Sequence, residues 1–263
     1  MNTPSDTWNS EHYKKYSGFQ NHEWALDSLE NLHFKGNETI LDIGCGDGTI
    51  TAKIAQKIPN GKVVGVDLSQ SMIKAAKESY AQVANLSFEL ADATNFFFEQ
   101  KFDYVTSFFV LHWIEDQLAV LKNIKKVIKP NGKIIIIMSE AQENSPLIMK
   151  AFEHLEREGR WKRAVKLANK RHFPQSANRF KQLLAKANFK HLTIETIYRT
   201  STSKTLETTV QSLMRWIPHS TELPYDQALQ FSKALAEDMY KQLKKRQDEP
   251  IIFQQAFLVI EAQ

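Results

Sequence analysis

Thr39-Ile40-Leu41-Asp42-Ile43-Gly44-Cys45-Gly46-Asp47-Gly48-Thr49 decides how this chain is read. The apolar run from Thr39 to Ile43 predicts a short strand. The glycines after it predict a tight turn, because glycine has no Cβ and tolerates φ > 0. Ile50, Ile54 and Ile58 then recur every four residues and mark one face of a helix, closed by Pro59-Asn60-Gly61. Such a strand–turn–helix lets a ligand touch the backbone directly. The glycines fall as Gly-x-Gly-x-Gly, whereas a dinucleotide fingerprint wants Gly-x-Gly-x-x-Gly, and Thr49 stands where its last glycine would fall.

Outward from this turn the chain alternates strands and helices. Further strands are predicted over Lys62 to Val66, Leu86 to Leu90, Phe102 to Phe109 and Lys133 to Met138. Ser69 can cap a helix carrying Met72, Ile73, Ala76 and Tyr80. Leu118, Leu121, Ile124 and Ile128 mark another helix, with a turn at Lys129-Pro130-Asn131-Gly132. Ile134 to Ile137 are all β-branched, as expected of a central strand covered on both faces. This rhythm predicts an α/β fold with a parallel, doubly wound sheet.

After Ser139 the rhythm changes. Helical patterns run over Pro146 to Lys170 and Ser176 to Ala187, before a strand at Leu192 to Tyr198. A long helical stretch, Leu206 to Arg246, is broken at Pro218 to Pro224 and precedes a strand near Ile252 to Ile260. There is no internal repeat and no low-complexity segment.

Composition narrows the class. The chain has 263 residues, enough for one large α/β domain. Its 34 basic and 30 acidic residues leave a formal charge of +4, too mild to predict nucleic-acid binding. The densest basic clusters, Lys125-Lys126 and Lys244-Lys245-Arg246, read as solvated helix faces. Cys45 is the single cysteine, so no internal disulfide forms. The first residues lack a signal peptide's basic and apolar regions, and no apolar run reaches a membrane span of roughly 20 residues. A cytoplasmic protein without a metal site or a nucleic-acid partner is expected.

Carboxylates at successive strand ends carry the chemistry. Asp42 precedes the glycine turn, where it can receive an α-ammonium group. Asp67 ends the second strand, 19 residues past Gly48, where a carboxylate can accept from both hydroxyls of a ribose. Asp92 follows the third strand and can accept from an adenine amino group. Met72 can lie against the adenine face. The fourth strand ends in Ser107-Phe108-Phe109-Val110-Leu111-His112-Trp113, where aromatic faces would favour a sulfonium and His112 is the obvious titratable group. These features turn the reading from a dinucleotide to S-adenosylmethionine.

In order, Leu41-Asp42-Ile43-Gly44-Cys45-Gly46-Asp47-Gly48, Gly65-Val66-Asp67-Leu68-Ser69, Ala91-Asp92-Ala93 and Ile128-Lys129-Pro130-Asn131-Gly132-Lys133 resemble the class I S-adenosylmethionine-dependent methyltransferases. The resemblance covers about residues 35 to 138. It implies a Rossmann-like, seven-stranded sheet whose last two strands are an antiparallel pair, here Leu192 to Tyr198 and Ile252 to Ile260. The family usually joins that pair by a short turn, so the longer connection here is expected to be a helical cap over a substrate pocket. The implied plan is an N-terminal helical segment over the cofactor site (1–34), a core (35–200 and 251–263) and the cap (201–250). Trp8-Asn9-x-x-x-Tyr13 looks like the opening of trans-aconitate methyltransferases. Leu111-His112-Trp113-Ile114-x-Asp116-Gln117 and the segment with Pro218 and Pro224 look like juvenile hormone acid methyltransferases. Both groups esterify a carboxylic acid, as does the similar malonyl-carrier-protein methyltransferase.

The expected cofactor is S-adenosyl-L-methionine, with S-adenosyl-L-homocysteine as product. Expected cofactor residues are Asp42, Gly44, Cys45, Gly46, Gly48, Asp67, Leu68, Met72, Asp92, Ala93, Ser107, Phe108 and Tyr13, with Tyr16 and Gln20 closing over it. The expected substrate residues are His112, Trp113, Arg171, Arg199 and Arg215; His112 is also the catalytic candidate. The expected reaction is O-methylation of a small or lipid-like carboxylic acid by in-line displacement. An ionised carboxylate needs no base, only a positive or hydrogen-bonding clamp. Alternatives are a methyltransferase of a neutral small molecule using His112 as base, a non-catalytic S-adenosylmethionine-binding protein, and a dehydrogenase, which Thr49 disfavours. A nucleic-acid methyltransferase is disfavoured by the lack of an Asn-Pro-Pro-Tyr-type tetrad. A monomer or weak homodimer is expected.

Overall fold

The computed structural model describes residues 33–141 and 146–263, together with Ser10, Tyr13, Trp24, Ala25, Asp27 and Leu29. Trp8, Tyr16 and Gln20 lie outside the described residues. Alternating elements build the first half: β1 (Thr39–Ile43), α1 (Thr49–Lys57), β2 (Lys62–Asp67), α2 (Gln70–Ser79), β3 (Leu86–Leu90) and β4 (Phe102–Phe108). A 3-10 turn (Leu111–Trp113), α3 (Gln117–Val127) and β5 (Ile128–Ser139) follow. The second half runs α4 (Pro146–Arg157), α5 (Lys162–Lys170), α6 (Ala177–Lys186), β6 (Thr193–Ser203), α7 (Leu206–Met214), α8 (Ile217–Thr221), α9 (Tyr225–Gln242) and β7 (Ile251–Ala262).

The seven strands form one sheet in the order β3-β2-β1-β4-β5-β7-β6. Strands β1 to β5 pair in parallel, and β7 runs antiparallel between β5 and β6. The order reverses between β1 and β4, the crevice where an open α/β sheet takes its ligand. This is the Rossmann-like doubly wound sheet that the alternation predicts, closed by an antiparallel pair.

Period-two alternation splits the strand side chains between two cores. Leu41, Ile43, Ile134 and Ile136 pack with α3 and α6 on one face. Ile40, Val63, Ile135 and Ile137 pack with α1 and with Trp24, Ala25 and Leu29 on the other. A separate apolar cluster joins α4 and α5 (Phe152, Trp161, Val165) to α7 and α9 (Leu213, Phe231, Leu235). The helical layer thus takes residues on both sides of β6, more than the 201–250 stretch expected.

Several boundaries move. The helical pattern from Pro146 to Lys170 is two helices, parted near Gly159 at φ 85. Pro218 does not break the helix, because it sits in the first turn of α8, where its missing N–H costs nothing. The stretch breaks between Met214 and Ile217, and again at Glu222, left-handed at φ 52 and inside the Pro218 to Pro224 span expected. The turn expected at Lys129-Gly132 lies inside β5 as an irregularity, with Phe102 opposite Ile128 but Tyr104 opposite Lys133. Strand β6 outruns Tyr198 because Thr200, Ser201 and Thr202 keep pairing with β7. That stretch reads as polar loop by composition, yet threonine suits a pleated strand. No helix among the described residues is long and apolar enough to cross a membrane.

Candidate functional site

The glycine turn is pinned to the neighbouring strand. The N–H groups of Gly44 and Cys45 both donate to the Val66 carbonyl, at 2.8 and 3.0 Å. Gly44, Gly46 and Gly48 have φ of 71, 54 and 84. A Cβ on Gly44 would stand 2.2 Å from a Val110 methyl, whereas one on Gly46 would meet nothing within 4 Å. Gly44 is therefore glycine for close packing, and Gly46 for its backbone conformation.

Asp67 closes this corner. One carboxylate oxygen accepts the Gly46 N–H at 3.0 Å and the other the Ser69 N–H at 2.8 Å. These donors orient the carboxylate at the end of β2. Ser69 caps α2 by accepting the Met72 N–H at 3.2 Å. At the next strand end Asp92 accepts from the backbone and hydroxyl of Thr94, at 2.8 and 2.7 Å.

A cavity of about 960 Å³ opens over these strand ends. Tyr13, Gly44, Gly46, Asp67, Leu68, Met72, Asp92, Ala93, Phe108, His112, Trp113, Arg171 and Arg215 line it. Its volume is at the upper end for small-molecule sites. The far wall comes from the helical layer: Ile148, Met149 and Phe152 of α4, Leu213 of α7, and Trp216.

Other expected residues stand elsewhere. Asp42 is not on the cavity wall. It is buried behind the turn, accepting from the Thr51 and Thr106 hydroxyls at 2.6 and 2.7 Å. Burial lifts its carboxyl to about 6 against those hydroxyls' pull. Cys45 is buried against Gly65, and burial raises its thiol well above the ordinary value. Gly48 is the left-handed N-cap of α1. Ser107 is buried and donates to the Ile43 carbonyl at 3.0 Å, so it ties β4 to β1. Arg199 lies off the wall, 3.9 Å from Asp27.

His112 sits in the 3-10 turn, its Nδ1 accepting the Ser139 N–H at 3.2 Å. The neutral ring then carries its proton on Nε2 and presents an N–H, not a lone pair. Burial, together with His172 and His219, holds its pKa well below the ordinary value. The Trp113 ring lies 5.1 Å from each of His112, His172 and His219. Burial lowers His172 to about 4 and His219 to about 3, so this aromatic wall is uncharged at neutral pH. Sequence spacing does not reveal His172 or His219, because one follows α5 and the other lies in α8, far along the chain from Trp113.

The arginines divide. Arg171 is committed to the Glu222 carboxylate and to the His219 carbonyl. Among the described residues Arg215 is bonded within its own turn, to the Ser212 carbonyl at 3.2 Å and hydroxyl at 2.5 Å. No carboxylate pairs with it among the described residues, and burial lowers its pKa. Burial pushes the Tyr13 hydroxyl up to about 12, with Asp47 and Asp67 adding and Arg215 opposing. Tyr13, Asp67 and Arg215 all line the same cavity. No cluster of three or more metal-type ligands occurs among the described residues.

The donor set fits a nucleoside with an amino-acid arm: a glycine cradle, an oriented carboxylate at β2 and another after β3. Comparison with known proteins agrees. Residues 34–211 match the family model described as "Methyltransferase domain". Demethylmenaquinone methyltransferase of Oceanobacillus iheyensis is 32% identical over 136 residues, 48% of this chain and 57% of that protein. Malonyl-[acyl-carrier protein] O-methyltransferase 1 of Ilyobacter polytropus is 33% identical over 125 residues, 46% of each chain. The chain thus spans about half the length of the curated relatives it matches. The S-adenosyl-L-methionine complex of Haemonchus contortus phosphoethanolamine N-methyltransferase 2 shares the fold, with a TM-score of 0.64 at 18% identity over 98% of this chain and 58% of that one. The chain belongs to the methyltransferase domain family, the S-adenosylmethionine-dependent methyltransferases.

Proposed function

We propose that the protein methylates the carboxylate of a small or lipid-like acid, with S-adenosyl-L-methionine as donor. The observation that carries this reading is Arg215, a half-buried guanidinium on the cavity wall without a carboxylate partner among the described residues. A cation partly withdrawn from water favours an anion beside it, and guanidinium matches a carboxylate through two parallel hydrogen bonds. The apolar wall of Ile148, Met149, Phe152 and Leu213 suits the rest of such an acid. The Ilyobacter relative, named as an O-methyltransferase of malonyl-[acyl-carrier protein], supports methyl transfer to oxygen.

S-adenosylmethionine, when bound, supplies a methyl group on an electrophilic sulfonium. Asp67 would hold the ribose hydroxyls, Asp92 the adenine amino group, Met72 and Leu68 the adenine faces, and the Gly44–Gly48 backbone the amino-acid arm. Asp42, behind that backbone, would act on the ammonium through the turn. His112 would donate its Nε2–H to the acceptor, whose ionised carboxylate needs no proton removed. The helical layer would cap the site and exclude water. The work left to the protein is alignment of the two reactants.

The test is Arg215→Ala, assayed by homocysteine release across a panel of carboxylic acids. KM for an accepted acid should rise roughly 30- to 100-fold, the scale of a lost charged hydrogen-bonding partner. S-adenosylhomocysteine affinity should change less than about threefold. A matching loss of that affinity would assign Arg215 to the cofactor's own carboxylate and remove the support for an acid acceptor.

A further inference from the structure

Two stretches of this chain carry five cations and no acid, residues 122–133 and residues 160–170, and the second borders the large cavity. In residues 160–170 the five stand against a net charge of +4 for the whole chain, so the remainder is close to neutral. In the sequence these cations look scattered, because apolar residues separate them. On α5 the helical repeat gathers them: Ala164, Val165 and Ala168 turn inward and the cations turn outward. Arg160, Lys162, Arg163, Lys166 and Lys170 line a surface groove of about 470 Å³ with Gly159 and Leu167.

None of these five is within ion-pair distance of an acid among the described residues. Lys162, Lys166 and Lys170 stand one turn apart along about 12 Å of helix, where like charges repel. Lys170, which is exposed, also lines the large cavity, so the stripe reaches that cavity's edge.

We propose that this stripe docks an acidic protein surface, such as a helix with carboxylates one turn apart, at the edge of the large cavity. Complementary charge selects the occupant, and the stripe matches two turns of such a helix. A lipid surface is less suited, since Leu167 is the only large apolar side chain in the groove and membrane anchoring wants apolar residues beside the basic ones. Single-stranded nucleic acid is less suited as well, because it wants stacking rings. Trp161 is buried and covered by the Arg160 guanidinium at 4.6 Å. The proposal concerns the docking surface and stands whether or not the acceptor is a carboxylic acid.

The test compares the full chain with Lys162→Glu/Lys166→Glu, both exposed and off the large cavity. The probe is a fluorescent, helical, glutamate-rich peptide, with phosphatidylglycerol vesicles and a single-stranded oligonucleotide as the other arms. The wild type should bind the peptide in a salt-sensitive way, and the double variant at least about tenfold more weakly. S-adenosylhomocysteine affinity should be equal in the two, which shows that the variant is folded. The proposal is overturned if the peptide does not bind, if the double variant binds it equally, or if vesicles or oligonucleotide bind the stripe more tightly than the peptide does.

Discussion

The backbone N–H of Ser139, at the end of β5, donates to Nδ1 of His112 at 3.2 Å. This bond uses the lone pair that a general base would need and fixes the ring as an Nε2–H donor. Burial adds to this by holding the imidazole neutral well below its ordinary range. The turnover number should then be flat from about pH 6 to 8.5, with no histidine titration. His112→Gln keeps an N–H donor and should lose less than about tenfold in rate, whereas His112→Ala should lose roughly 10- to 100-fold. A rate that climbs with pH through a single ionisation would return His112 to the role of base.

Asp67 accepts two backbone N–H groups, from Gly46 and Ser69, so its carboxylate both shapes the turn and faces the cavity. Asp67→Ala should weaken S-adenosylhomocysteine binding by roughly 30- to 100-fold or more, the scale of charge-assisted hydrogen bonds. Calorimetry on the two proteins checks this. Unchanged affinity would mean that the cofactor's ribose lies elsewhere.

Gly44 has no room for a side chain. A Cβ there would meet Val110 at 2.2 to 2.8 Å, on a backbone at φ 71. Gly44→Ala should cost roughly 2–4 kcal/mol of stability, from overpacking together with left-handed strain. Adding Val110→Ala should recover only part of that loss, since it removes the clash and leaves the strain. Urea denaturation of both variants measures the split.

Asp42 carries a cost of its own. Its folded-state value of about 6 lies above the ordinary 3.8, so the native protein holds the proton more tightly than the unfolded chain does. The stability gained from that proton is full below about pH 4 and is lost as pH rises to about 6. At neutral pH the buried carboxylate costs roughly 1–3 kcal/mol. Asp42→Asn should therefore be more stable than wild type at pH 7, with the gap closing toward pH 4. The same variant should bind S-adenosylhomocysteine more weakly, if the charge behind the turn serves the ammonium. A variant less stable at pH 7 would contradict the sign.

The core and the glycine-turn corner of the cavity were legible because their signals are local. Gly44, Gly46, Asp67 and Asp92 each sit at the end of a strand marked by its own apolar run, and the sheet brings those ends together. Asp42 was legible as a strand-end carboxylate but not as a buried one, since only the β1–β4 register puts Thr106 beside it. The acceptor wall was less visible. His112 and Trp113 follow a strand, but His172 reaches them from the end of α5 and His219 from α8. Arg171, Arg199 and Arg215 look alike in sequence. Glu222 and Asp27, each distant along the chain from the arginine it pairs with, leave Arg215 as the one without a carboxylate among the described residues.

The most direct measurement is methyl transfer from methyl-labelled S-adenosylmethionine to a panel of carboxylic acids, followed by mild alkali. A methyl ester is cleaved by alkali, so the account predicts label released as volatile methanol, and little of it from Arg215→Ala at the same acid concentration. Label that stays on the product through alkali would place the methyl group on nitrogen, carbon or an ether oxygen, and would contradict a carboxylate acceptor.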